Sequence, residues 1–134
     1  MASNLMTLIP MLTVADLPRT IAFYRDALGF TVVNSIGTPE PVWCMLKRDS
    51  VSFMFNASSD LTDEALPKSA KDFQIYYIYP KDVRALHAEL LSKGVVVTDL
   101  RVTSYCMREF ELRDPDQHWL WFGEDTKDPP TATS

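Results

Sequence analysis

The chain has little cysteine, a deficit of positive charge and no long apolar run, and each shortage excludes something. Of its 134 residues only two are cysteines, Cys44 and Cys106, too few for a disulfide framework and without the spacing of a zinc site. They are expected as reduced thiols in strands. Lysine and arginine number 13 against 18 aspartates and glutamates, giving a formal net charge of -5, which weighs against a surface built for phosphate backbones. Nucleic acid is not an expected partner, and the acidic balance favours a neutral or cationic ligand. The longest apolar stretches are strand-sized, short of the roughly 20 residues of a membrane helix, so no membrane association is expected. Met1 to Leu8 lacks the basic start, apolar run and cleavage site of a secretory signal, and a cytoplasmic location is expected. No Gly-x-Ser-x-Gly elbow, phosphate loop or dinucleotide fingerprint occurs, so no catalytic residue and no cofactor are assigned.

What is present is an internal repeat with an offset of about 65 residues. Asp16 answers Asp82, Gly29 answers Gly94, and Lys47-Arg48-Asp49 answers Leu112-Arg113-Asp114. In the first half, Leu8 to Val14 reads as a strand, and Asp16 caps a helix with Pro18 in its first turn. Leu17, Ile21, Tyr24 and Leu28 line one face of that helix, and Gly29 ends it. Strands are predicted at Phe30 to Ser35, Val42 to Arg48 and Val51 to Asn56. The second half repeats the order: a strand at Phe73 to Tyr79, a helix from about Asp82 to Lys93, then strands at Val95 to Val102, Met107 to Arg113 and His118 to Phe122. The fold class is α+β, two β-α-β-β-β modules whose curved mixed sheet surrounds a pocket. Residues 1–134 form one domain, with module one at about 8–56, a polar linker at about 57–72, module two at about 73–124 and a flexible tail at 125–134.

These residues resemble the vicinal oxygen chelate superfamily, which includes glyoxalases, extradiol dioxygenases and bleomycin resistance proteins. The resemblance covers roughly residues 9 to 124. It rests on Val14-Ala15-Asp16-Leu17 leading to Ala22-Phe23-Tyr24 and Leu28-Gly29-Phe30, and on Arg108-Glu109-Phe110 followed by Arg113-Asp114-Pro115-Asp116. Bleomycin resistance proteins are the most similar group, through Ile9-Pro10-Met11-Leu12 and the run from Arg108 to Pro115 before a strand ending in Phe122-Gly123-Glu124. The family usually has glycine in the last hairpin where this chain has Gln117. Metal-dependent members hold an ion with His, Glu or Gln at places that fall here on Ile9, Met54, Ile75 and Trp121, none of which offers an oxygen or imidazole, so no metal is expected. His118, after the hairpin, reads as a surface residue and His87 as a satisfied boundary histidine. Asp114 and Asp116 read as turn formers.

Hairpin counting selects the inward faces. A tight turn at Asp49-Ser50 pairs Met45 with Met54 and Trp43 with Asn56, placing Trp43, Met45, Lys47, Ser52, Met54 and Asn56 together. A loop at Asp114 to Gln117 pairs Leu112 with Trp119 and Phe110 with Trp121, placing Arg108, Phe110, Leu112, Trp119 and Trp121 together, with Tyr77 and Tyr79 on the same side. The expected ligand-binding residues are Trp43, Met45, Met54, Asn56, Tyr77, Arg108, Phe110, Trp119 and Trp121, an aromatic lining suited to a flat ligand. The resemblance implies a non-catalytic protein that sequesters a cationic, partly aromatic antibiotic of the bleomycin type and works as a homodimer. A lyase or isomerase of the same fold is the alternative.

Overall fold

A computed structural model of the chain describes residues 2–58 and 74–131. Before the undescribed stretch lies one compact unit and after it another. In the first, β1 (Met11–Val14), α1 (Leu17–Ala22), β2 (Thr31–Ile36), β3 (Trp43–Arg48) and β4 (Val51–Ala57) build a four-stranded sheet in the order β1-β4-β3-β2. In the second, β5 (Ile75–Ile78), α2 (Val83–Ser92), β6 (Arg101–Val102), β7 (Met107–Arg113) and β8 (Trp119–Asp125) repeat that order as β5-β8-β7-β6. Each sheet is mixed, because the first strand runs parallel to the last while the remaining neighbours are antiparallel. The expected α+β repeat is therefore what forms.

The helix starts are those that the sequence dictates. Asp16 accepts the Arg19 N–H and Asp82 accepts the Ala85 N–H, each satisfying a donor that the helix leaves open. Beyond Ala22 the first helix loosens into a π-helical turn, Phe23–Ala27, where the Leu28 N–H reaches the Phe23 carbonyl. This turn leaves Tyr24 and Leu28 fully buried beside Leu17, with Ile21 only half-buried. Tyr24 centres the core of this unit, its ring 4.8 Å from Phe55, 5.6 Å from Phe30 and 5.9 Å from Phe53. The alternation Cys44, Leu46 and Phe53, Phe55 buries one face of β3 and β4 in that core.

Several boundaries differ from expectation. The first strand is shorter, since residues 2–10 lie outside the sheet and Leu5, Met6 and Leu8 are exposed. Of the strand expected at Val95 to Val102 only Arg101–Val102 pairs, because the Thr98 hydroxyl accepts the Glu111 N–H that a ladder carbonyl would take. Cys44 sits in β3, whereas Cys106 is an exposed turn residue with φ of 65°. The tail, expected to fray, is tied to β6 as far as Thr131, whose N–H donates to the Val102 carbonyl and whose hydroxyl accepts the Val102 N–H. Most of the expected linker and the start of the Phe73 to Tyr79 strand lie outside the described residues.

Candidate functional site

Each sheet covers its helix with one face, and the opposite, open face carries the candidate residues. In the first unit the hairpin register is as expected, Met45 against Met54 and Trp43 against Asn56, around a two-residue turn in which Asp49 adopts φ of 51°. Trp43, Met45, Met54 and Asn56 are half-buried on one face, joined by Met11 and Thr13 of β1. The Thr13 hydroxyl donates to Asn56 Oδ1 at 3.2 Å. A groove of about 440 Å³ opens on the same side, lined by Leu8, Ile9, Val33, Met45, Lys47 and Ser52 among others.

The second unit requires a correction. Its hairpin pairs Arg113 with Trp119, Leu112 with Leu120, Glu111 with Trp121 and Phe110 with Phe122, one residue out of step with the expectation. The loop has five residues, not four, because Asp114 organises it through His118. Its carboxylate accepts the N–H groups of Asp116 and His118, each at 2.9 Å, and bonds His118 Nδ1 at 2.8 Å. Gln117 takes the left-handed conformation, φ 71°, in place of the family's usual glycine. A one-residue slip exchanges the faces of a strand. Phe110 is therefore not on the open face but stacked on Phe122 and edge-on to His87 of α2, and Leu112 is buried with Leu120. Arg108 lies opposite Glu124 and is ion-paired with Asp128, whose carboxyl that bond holds below its usual range. His87, as expected, is satisfied, its Nε2 2.9 Å from the Thr98 carbonyl, while His118 belongs to the turn and not to open surface.

Trp119, Trp121 and Tyr77 remain on the open face, since β5 sets Ile75 beside Trp119 and Tyr77 beside Trp121. What the slip brings to them is a charged set absent from the expected site: Glu109, Glu111 and Arg113 of β7, with Arg101 of β6. Glu109 is 1% exposed and accepts from the Tyr77 hydroxyl at 2.8 Å, the Tyr105 hydroxyl at 2.6 Å and Arg101 Nη2 at 3.1 Å. Tyr77 reaches it by crossing Gly123, where an added Cβ would stand 2.0 Å from the phenolic oxygen. Burial, and then the Glu109 carboxylate, raise the Tyr77 and Tyr105 phenols above their usual pKa. Burial likewise raises the Glu111 carboxyl, with Arg101 opposing and Glu109 adding to the effect. Arg113 lies 4.0 Å over the Trp119 ring and is held there by Gln117 Oε1 at 3.0 Å. The indole nitrogens of Trp119 and Trp121 are buried and meet no hydrogen-bond acceptor among the described residues.

A signal for this face was present in the sequence: pairing Phe110 and Leu112 with Phe122 and Leu120, the purely apolar positions of the two strands, yields the observed register and leaves Glu109, Glu111 and Arg113 beside the tryptophans. The residues expected at the superfamily's metal-ligand places, Ile9, Met54, Ile75 and Trp121, offer no donor for a hard or borderline ion. Among the described residues, no group of three or more His, Cys, Asp or Glu side chains is gathered to hold one. No described helix is long and apolar enough to cross a membrane.

The model of the Glyoxalase/Bleomycin resistance protein/Dioxygenase superfamily matches residues 7–122. Among solved structures, a bleomycin resistance determinant encoded on the transposon Tn5 superposes with a TM-score of 0.73 at 22% identity, over 90% of this chain and 98% of that one. A bleomycin-binding protein complexed with bleomycin gives 0.72 at 22% identity, over 90% and 99%. The bleomycin-binding protein of bleomycin-producing Streptomyces verticillus, complexed with copper(II)-bleomycin, gives 0.69 at 20% identity, over 95% and 100%. At these identities the likeness shows the fold. No curated protein matches the chain.

Proposed function

Because the chain belongs to the Glyoxalase/Bleomycin resistance protein/Dioxygenase superfamily, we propose that it is a cytoplasmic binding protein that sequesters a cationic, partly aromatic antibiotic of the bleomycin type. The observation that carries this reading is the open face of the second sheet, where Tyr77 and Trp121 lie side by side with ring centroids 6.5 Å apart and two indole N–H groups lack acceptors among the described residues. Rings supply stacking area, and a ligand oxygen can satisfy a buried N–H whose loneliness otherwise costs about 1–3 kcal/mol. Trp43, Met45, Met54 and Asn56 give the first unit a comparable half-buried face. Sequestration needs no chemistry: a protein that binds the drug tightly and outnumbers it lowers the free concentration by mass action. Ile9, Met54, Ile75 and Trp121 at the metal-ligand places favour this over a metal-dependent lyase or dioxygenase.

The homodimer implied by the resemblance is part of the same proposal, supported by the exposure of Leu5, Met6 and Leu8, which a second copy can cover. Titrating the protein with bleomycin while following tryptophan emission tests the reading. A saturable change is expected, weakened by about 1 kcal/mol or more when Trp121 is replaced by leucine. No binding of bleomycin at millimolar concentration would falsify the assignment, and stoichiometric iron, manganese, nickel or zinc in the purified protein would turn it toward the enzymatic alternative.

A further inference from the structure

Three successive open-face rungs of the β7–β8 hairpin treat charge in three different ways. At the first, the Arg113 guanidinium lies over the Trp119 ring, so the chain supplies its own cation to that indole. At the third, Glu109 faces Gly123 and is buried and saturated by Tyr77, Tyr105 and Arg101, leaving no room on that carboxylate for a ligand. The middle rung pairs Glu111 with Trp121, and here both partners are incomplete. Glu111 keeps 20% of its side chain exposed and shares Arg101 at 3.8 Å, whereas Arg101 is committed to Glu109 at 3.1 Å. One guanidinium thus serves two carboxylates. Among the described residues no cation lies over the Trp121 ring and no acceptor meets its N–H.

We infer that Glu111 and Trp121 form the subsite that takes the positively charged group of the ligand, the ammonium or guanidinium resting on the indole and paired with the carboxylate. Tyr77, beside Trp121 on β5, supplies the adjoining ring. The chain itself shows the geometry one rung away, in the stack of Arg113 on Trp119. An arriving cation also offsets the cost of burial and the like-charge repulsion that Glu111 meets in its absence. Glu109 is a positioning residue in this scheme: it fixes Tyr77 and Arg101 and does not touch the ligand. The inference rests on the binding function proposed above and adds which residue selects for charge.

A pair of aromatic probes that differ in charge separates the two ideas. Phenethylamine, an aromatic ammonium, and its uncharged N-acetyl derivative are titrated calorimetrically against the full chain, with bleomycin alongside. The wild type is expected to prefer the ammonium by about tenfold or more, and Glu111→Gln to abolish that preference while leaving affinity for the acetyl derivative within about twofold. Trp121→Leu, which keeps the carboxylate and removes the ring, is expected to weaken both probes. If Glu111→Gln retains the charge preference, or Trp121→Leu leaves both affinities unchanged, the subsite is wrong although the binding function stands. If neither the amine nor bleomycin binds the wild type, the binding function itself fails and the subsite with it.

Discussion

At the scale of single residues, the second sheet depends on a missing side chain. Gly123 leaves the space through which Tyr77 crosses β8 to reach Glu109, and the 2.0 Å separation between its would-be Cβ and the phenolic oxygen cannot be relieved without moving the ring. Gly123→Ala is expected to cost about 2–3 kcal/mol in denaturant unfolding, combining overpacking with a lost hydrogen bond to a buried carboxylate. In a double-mutant cycle with Tyr77→Ala most of the added cost should vanish, because the clash needs both side chains. Glu111 supplies the opposite sign. Burial raises its folded-state pKa above the unfolded value, so its protonated form is the one that stabilises, fully below the unfolded pKa, and that contribution disappears as pH rises through the folded pKa. The charged groups facing it are Arg101 on β6 and Glu109 and Arg113 on β7. Glu111→Gln is therefore expected to raise Tm by about 1–3 °C near pH 8 and to leave it unchanged near pH 3.5, as thermal melts across pH would read.

Among the elements, the β7–β8 hairpin decides which side chains meet a ligand, and its loop decides the register. Asp114, 2% exposed, bonds two backbone N–H groups and one imidazole, so Asp114→Ala removes the acceptor that closes a five-residue loop. A loss of about 2–4 kcal/mol is expected from the unsatisfied buried donors, with a changed tryptophan emission reporting the loosened rungs below. Gln117 is the strained member, at φ 71°, and glycine there relieves the steric cost at the expense of the bond to Arg113. Gln117→Gly is expected to gain about 0.5 kcal/mol, read from the denaturation midpoint. The same substitution frees the guanidinium that covers Trp119. In the first unit the π-helical turn of the helix sets Tyr24 against Phe30, Phe53 and Phe55.

For the whole molecule, the exposed apolar arm and the proposed homodimer bear on one measurement. Leu5, Met6 and Leu8 keep more than four-fifths of their surface in water, an arrangement that a second copy can improve by covering them. Sedimentation equilibrium at micromolar concentration is expected to return twice the chain mass, and replacing Leu5, Met6 and Leu8 together by serine is expected to return the chain mass. A wild-type monomer that binds bleomycin with full affinity would remove the dimer from the proposed function while leaving the sheet face intact.

The sequence by itself determined the architecture: the repeat of capping aspartates, helix-ending glycines and strand-sized apolar runs specifies two β-α-β-β-β units, because capping and side-chain period are local and need only neighbouring residues. It also determined the first hairpin, where Asp49-Ser50 leaves a two-residue turn and hence one register. Tertiary structure decided the rest. Thr98 diverts the Glu111 N–H and shortens a strand, Thr131 binds the tail to β6, and Asp114 adds one residue to the last loop by bonding His118. That single residue moves Phe110 from the open face to the core and brings Glu109 and Glu111 to the tryptophans. A strand's alternation says which residues travel together, and pairing the apolar positions suggests a register, but the side-chain bond that closes the loop settles which face they reach.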